Sequence, residues 1–112
     1  MELVNLTPHD INLVDENLTS IRTFSSSGIV RIEEKMENAA LMHLLDGTAV
    51  NFKSSKLAGI YGLPEASENT YYLVSMVVAT ALKGKRFDLV YPEVVRNDKG
   101  VIIGCKGFIL PA

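Results

Sequence analysis

The stretch TYYLVSMVVATALKGKRFDLVYP, from Thr70 to Pro92, decides the fold more than any other part of the chain. It contains an apolar run that ends at Ser75, a run of helix-forming residues from Met76 to Leu82, and a second apolar run from Phe87 to Tyr91. Short apolar runs bounded by polar residues are typical of buried strands. The stretch therefore predicts a strand, a helix at about residues 76–83, and a second strand.

Ser75 stands where this helix is predicted to begin. A serine at that position caps a helix, because its side-chain oxygen accepts a hydrogen bond from a backbone N–H of the first turn. The other first-turn N–H groups lack internal partners and carry a partial positive charge. We therefore expect the space just beyond Ser75 to suit an anion or another polar ligand, although this predicts a place and not a reaction.

Length and composition indicate one soluble domain. At 112 residues and 47% hydrophobic content, the chain fits a single domain over residues 1–112 with an apolar core. Its longest apolar stretches, such as Tyr71 to Val78, fall short of the roughly 20 residues that a membrane span needs, and no leader-like pattern opens the chain. Cys105 has no second cysteine to pair with. These features predict a cytoplasmic protein without an intrachain disulfide or a membrane partner.

Charge argues against general nucleic-acid binding. The formal net charge is -2, and only Lys83, Lys85 and Arg86 cluster. Cations at the carboxyl end of a helix interact favourably with its dipole, so this cluster is typical of a solvated helix end. Phosphate binding would need more clustered lysine and arginine.

Two short hairpins are predicted near the start of the chain. Leu3 to Leu6 and Ile11 to Val14 are apolar runs joined by the turn residues 7–10, and this pattern favours a hairpin. Ile21 to Phe24 and Ile29 to Ile32 are separated by three serines and a glycine, which favours a second one.

The segment EEKMENAALMHLL, from Glu33 to Leu45, allows two interpretations. Its residues have high helix propensity, yet its neighbours are typical of strands, so it forms either a helix or a strand that leads into a hairpin at Asp46-Gly47. Thr48 to Lys53 then predicts a strand, which we expect to break at residues 54–56.

A further hairpin is predicted near the carboxyl end. Val94 to Arg96 and Val101 to Ile103 flank the turn sequence Asn-Asp-Lys-Gly, whose residues tolerate left-handed backbone angles. Gly104 and Gly107 indicate a bulge or a close backbone approach in the last strand. The whole pattern predicts an α+β fold: a small, mostly antiparallel β-sheet domain with one helix in a strand-helix-strand unit.

The residues that carry chemistry form no recognisable catalytic or metal motif. Asp10, His43, His9 and Cys105 lack the close paired spacing of zinc ligands, so we predict no metal and no cofactor. Cys105 and His9 could meet as a nucleophile and its base, but a lone cysteine between apolar residues is usually a small core residue. Arg96 suits a carboxylate or phosphate ligand, or else a surface salt bridge.

Three stretches together resemble a family of small, uncharacterised bacteriophage and prophage proteins. They are VNLTPHDINL at the start, GLPE with YYLVSMVVATAL in the middle, and DLVYPEVVRNDKGVIIGCKGF at the end, and they cover most of the chain. The resemblance implies a phage context and no established activity. Family members have a shorter, strand-like region in place of Glu33 to Leu45, which favours the hairpin interpretation. They often carry a basic and acidic pair where this chain has Arg86-Phe87-Asp88.

The leading functional hypothesis is a non-enzymatic, phage-type protein that binds a small polar or anionic ligand, for example a nucleotide-derived one. Thr7, His9, Ser75 and Arg96 are the predicted ligand-binding residues, and by analogy the role is counter-defence. The first alternative is a protein-binding module that masks a host protein through an exposed sheet edge or apolar patch. The second is an enzyme that depends on Cys105 and His9, with a thiol of lowered pKa. A homo-oligomer is expected in each case.

Overall fold

A computed structural model describes residues 1–111. They form two compact units, of which the first contains residues 1–31 together with the chain from residue 62 onward, and the second contains residues 32–61. We call the first the sheet unit. The second is formed by two paired strands and is called the long hairpin. The predicted α+β class is confirmed, because nine elements comprise eight strands and one helix.

The sheet unit is built on a six-stranded mixed sheet. Its strand order is β1-β6-β7-β8-β2-β3, while β4 pairs only with β5. The pairs β1–β6, β6–β7 and β2–β8 are parallel, and β2–β3 and β7–β8 are antiparallel. The elements are β1 (Glu2–Asn5), β2 (Ile11–Val14), β3 (Ser20–Phe24), β4 (Arg31–His43), β5 (Ala49–Tyr61), β6 (Thr70–Leu73), α1 (Met76–Ala81), β7 (Leu89–Arg96) and β8 (Ile102–Ile109).

The predicted strand-helix-strand unit is confirmed as β6, α1 and β7. Ser75 caps the helix, and its hydroxyl accepts a 3.3 Å hydrogen bond from the Val78 amide. The helix ends at Ala81, earlier than predicted. The second strand also begins later than predicted, at Leu89, and Phe87 is 81% exposed instead of buried.

The core of the sheet unit lies where α1 covers the middle of the sheet. Residues 78 and 79 of the helix and its C-cap Leu82 are buried, as are the carboxyl end of β6 and the start of β7. Full burial of a valine or leucine side chain contributes about 1.5–3 kcal/mol to the free energy of folding. The buried apolar residues of this region are Tyr72, Leu73, Val74, Val78, Ala79, Leu82, Leu89 and Val90. No helix among residues 1–111 is long and apolar enough to cross a membrane.

The hairpin predicted between residues 3–6 and 11–14 is wrong. β1 pairs in parallel with β6, and β2 lies between β3 and β8. Turn residues predict that the chain changes direction, but they do not determine which strand each flanking run pairs with. The first run pairs only with β6, which is distant in sequence, and the second pairs both with the next strand, β3, and with the distant β8.

The second predicted hairpin, between residues 21–24 and 29–32, is also wrong. Residues after β3 pair instead with the end of β1: Asn5 and Ser26 form a parallel bridge, and the Val30 amide donates to the Leu6 carbonyl at 3.1 Å. Because β1 is one edge of the sheet and β3 is the other, the sheet curves until its two edges meet at this point.

The hairpin interpretation of residues 33–45 is confirmed, and the helix interpretation is wrong. β4 continues through this segment to His43, and β5 returns without the break expected at residues 54–56. Gly47 at φ +91° lies in the connecting turn, where the Leu44 amide donates to the Thr48 carbonyl at 2.9 Å. Strand pairing therefore overrides the helix propensity of this segment.

The predicted hairpin near the carboxyl end is confirmed. β7 and β8 are antiparallel, and Asn97 Oδ1 accepts hydrogen bonds from the Lys99 and Val101 amides across the turn. The register shifts twice along β7. A Cβ atom added at Gly104 would lie 3.0 Å from Val14 Cγ1, so the predicted close approach is present at Gly104.

Candidate functional site

The half of the long hairpin away from the turn carries polar contacts between its two strands. Glu37 and Lys56 form a 3.0 Å salt bridge, and the Tyr61 hydroxyl donates to Glu33 Oε2 at 3.0 Å. That acceptor raises the pKa of Tyr61, because the carboxylate holds the phenolic proton. These side chains are largely exposed to water, so each contact contributes little to stability.

The other half of the long hairpin carries no such polar contacts and is strongly apolar. Between Asn38 and Leu45, His43 is the only residue that can carry charge. Five large apolar side chains in this half each expose 48% or more of their surface. We call this group the hairpin tip: Leu41, Met42, Leu44, Leu45 and Phe52. A concentration of exposed large apolar side chains in one short region is typical of an interaction site.

Thr7, a predicted ligand residue, lies inside the sheet unit. It is 6% exposed, and its hydroxyl lies 2.7 Å from Asn5 Oδ1 and 2.9 Å from the His9 carbonyl oxygen. The single hydroxyl proton is donated to one of these two acceptors. The contacts of Thr7 therefore fix the shape of the turn, and its role toward a ligand stays a prediction.

His9 and Ser75 are exposed at one end of the sheet unit. β1 and β6 are parallel neighbours, and the Leu6 amide donates to the Leu73 carbonyl at 2.8 Å. The turn containing His9 and the helix cap Ser75 each follow the carboxyl end of one of these strands. Both therefore lie at the same end of the sheet. Met76 and Val77, beside Ser75, are exposed apolar residues.

Arg96, the fourth predicted ligand residue, lines a cavity that the other three do not line. It donates to the Gly100 carbonyl at 2.9 Å and lines an open cavity of about 660 Å³ together with Asp15, Glu16 and Lys106. Neither Thr7, His9 nor Ser75 lines that cavity. The four predicted residues therefore do not converge on it.

Cys105 does not have the environment of a nucleophile. It is 1% exposed, and burial raises the pKa of its thiol. The lowered pKa that the enzyme hypothesis expected is therefore wrong, since a neutral buried thiol is a poor nucleophile. Cys105 pairs with Leu13 of β2 and Val94 of β7, in the interior of the sheet.

Two structurally important groups were not predicted. Asn5 is 1% exposed, and its side chain hydrogen-bonds the opening turn. The sequence signal for this role is an asparagine placed at the end of an apolar run. Arg86 and Asp88 form a two-point ion pair, with Nε to Oδ1 at 2.9 Å and Nη2 to Oδ2 at 2.7 Å. Arg86 also donates to the Pro64 carbonyl at 3.0 Å, so the pair anchors the loop before β6.

The comparisons with known proteins add nothing to these observations: no family model, curated protein or solved structure matches the chain. Within residues 1–111, no three His, Cys, Asp or Glu side chains are grouped in a way that could hold a metal ion. Function is therefore inferred from the contacts and exposure described above.

Proposed function

We propose that the protein works by binding a partner protein through the hairpin tip. The observation that carries this proposal is the exposure of five large apolar side chains around one short turn of the long hairpin. Covering such a side chain gains roughly 1.5–3 kcal/mol when burial is complete. A partner that covers several of them at once has enough free energy to form a specific complex.

The chemistry of the hairpin tip defines the class of partner surface. The charged residues of the long hairpin lie at positions 31–37, 46, 53 and 56, while the strand residues of the tip carry no formal charge. A matching surface would be an apolar groove with few charges, since burying an unpaired charge against the tip would be costly. Leu45 at the turn is the most exposed of the five and would enter such a groove first.

The test uses capture from a bacterial lysate by the immobilised full chain. The variant carries Leu44→Asp and Leu45→Asp, which place two charges on the hairpin tip. Leu18→Asp is the matched control, because Leu18 is also an exposed leucine in a turn but lies in the sheet unit. We expect one stoichiometric protein to be captured by the parent chain and by the control, and lost by the tip variant. Equal capture by all three chains would contradict the proposal.

A second candidate function is binding of a small polar or anionic ligand beside Ser75 and His9. It is supported by the parallel pairing of β1 and β6, since ligands of sheets with parallel strands bind beyond the carboxyl ends of those strands. Calorimetry and native mass spectrometry with a nucleotide panel test it, with His9→Ala and Ser75→Ala as variants. An absence of binding across the panel would exclude nucleotide ligands. A phage context and a counter-defence role remain hypotheses that rest on the sequence resemblance.

A further inference from the structure

The outer edges of the long hairpin have no neighbouring strand among the described residues. β4 and β5 are each 13 residues long, and they pair only with each other. A two-stranded ribbon is marginally stable in water, and long unpaired edges readily accept a further strand. An additional strand would therefore stabilise the long hairpin, and the unpaired backbone N–H and C=O groups of its edges could bind that strand.

The two edges differ in charge. β4 carries both signs, in the order Arg31, Glu33, Glu34, Lys35 and Glu37. β5 carries only Lys53 and Lys56 and no acidic residue. A strand with both signs can pair with a copy of itself so that opposite charges meet, whereas a strand with only positive charge cannot.

We propose that β4 pairs with β4 of a second copy of this chain, antiparallel and about a two-fold axis at Met36. The result is a four-stranded sheet with the order β5-β4-β4-β5. This inference goes beyond the proposed function, because it concerns the outer edge of β4 and does not depend on what the hairpin tip binds.

Charge and the length of strand that is paired together select the register of this pairing. Directly opposite residues in an antiparallel pair lie on the same face, so a two-fold pairing is centred on one residue. When the centre is Met36, Lys35 of each copy lies opposite Glu37 of the other. Centres at residues 33, 34, 35 or 37 place at least one pair of like charges directly opposite each other. A centre at Ile32 avoids like charges but pairs only residues 31–33 of β4, whereas a centre at Met36 pairs residues 31–41. Opposite charges across neighbouring strands are stabilising and like charges are destabilising.

The side chains at this register are accessible. Lys35 and Met36 are exposed, and Glu37 is half-buried and contacts Lys56 of its own hairpin. The Glu37 carboxylate has two oxygens, so it can accept hydrogen bonds both from Lys56 of its own hairpin and from Lys35 of the other copy. Two-fold pairing also closes, whereas pairing β4 with β5 of the next copy would continue into open-ended assemblies.

The test is the oligomeric state of the full chain, measured by light scattering after size exclusion and by sedimentation over a concentration series. We expect a dimer for the parent chain. Lys35→Glu would place four acidic side chains across the two-fold axis and raise the dimer dissociation constant roughly tenfold or more. The double variant Lys35→Glu with Glu37→Lys exchanges the charges and is expected to restore the dimer. Lys53→Glu makes the same charge change on β5 and is expected to leave the dimer unchanged.

Several outcomes would overturn the proposal: a monomer at every concentration, growth beyond the dimer, or a dimer that responds equally to the changes at residues 35 and 53. A second measurement is independent of charge. Met36→Cys is expected to cross-link between copies with a short bismaleimide, and Ser55→Cys on β5 is not; equal cross-linking would also overturn it. The leucine variants of the hairpin tip should still dimerise, so failure of this proposal is distinguishable from failure of the proposed function.

Discussion

The side-chain amide of Asn5 donates a 2.8 Å hydrogen bond to the carbonyl oxygen of His9. The same Nδ2 donates to the Phe24 carbonyl at 2.9 Å, while Oδ1 accepts from the Thr7 amide and lies 2.7 Å from the Thr7 hydroxyl. One buried side chain therefore joins the end of β1, the opening turn and the end of β3. These are the segments at which the curved sheet closes.

Replacing Asn5 by alanine is expected to lower the free energy of unfolding by about 2–4 kcal/mol, because the change leaves several buried polar groups without partners. Urea denaturation followed by circular dichroism measures the effect. Asn38→Ala is the matched control, since Asn38 is exposed on β4, and its effect should stay within about 0.5 kcal/mol. Equal stability of the two variants would show that the Asn5 network is not important for the fold.

Two glycines of β8 should respond differently to the same added methyl group. A Cβ at Gly104 would lie 3.0 Å from Val14 Cγ1 and 3.1 Å from the Asn12 carbonyl oxygen, whereas the nearest atom at Gly107 is 3.9 Å away. We expect Gly104→Ala to destabilise by about 1–3 kcal/mol through overpacking between β2 and β8. Gly107→Ala should be close to neutral. Thermal unfolding of the two variants gives the comparison, and a reversed order would contradict the described β2–β8 contact.

The ion pair between Arg86 and Asp88 should make stability depend on acid pH. Hydrogen bonding from the Arg86 guanidinium holds the pKa of the Asp88 carboxyl below its usual range, and partial burial opposes this shift. A carboxyl whose pKa is lower in the folded state contributes its full stabilisation above the unfolded-state value of about 3.9, and the contribution is lost as pH falls through the folded-state pKa.

Asp88→Asn is therefore expected to cost about 1–2 kcal/mol at neutral pH, since both side chains are mostly buried and the pair is bidentate. The cost should shrink as pH falls into the range where the wild-type carboxyl takes up its proton. Denaturant titrations at a series of pH values measure this difference. Asp98→Asn, in the exposed turn before β8, serves as the control. A cost that is independent of pH would contradict the role of the charge.

The thiol of Cys105 should react slowly with alkylating agents in the folded protein. Burial raises its pKa, so the thiol stays protonated at neutral pH, and the surrounding strands exclude the reagent. We expect labelling by iodoacetamide to be at least about 100-fold slower than in denaturant, because reaction requires local opening of the sheet. Mass spectrometry of the labelled chain follows the rate. Rapid labelling of the native protein would revive the enzyme hypothesis.

Prediction from the sequence succeeded where the fold is determined by neighbouring residues. The helix cap at Ser75 and the turn at Asn97 depend on contacts within a few positions, and each was predicted at its observed place. The turn at Gly47 was predicted only within the hairpin interpretation of residues 33–45. The choice of a strand for residues 33–43 could not be made from propensity alone. It required β5 as a partner, since a segment with helix-forming residues becomes a strand only when another strand satisfies its backbone groups.

Sequence also could not show which runs lie side by side. The apolar runs around residues 3–6 and 11–14 were correctly identified as strand-forming, but each has a partner far along the chain: β6 for the first run and β8, in addition to the neighbouring β3, for the second. Local turn signals contain no information about such pairing, because parallel neighbours are joined by long connections. For the same reason the sequence could not predict which ligand residues lie together. Arg96 lines a cavity without the other three, and Ser75 lies at the same end of the sheet as His9.

The amino-acid sequence by itself determined most of the strand-forming runs, the capped helix and the tight turn at Asn97, since these follow from side-chain shape and hydrogen bonding over a few residues. Only the tertiary structure decided that Asn5 is a buried link, that Cys105 is inaccessible and that the hairpin tip is exposed. Each of these properties depends on which distant residues cover a side chain and which leave it in water, and that depends on the pairing of the whole chain.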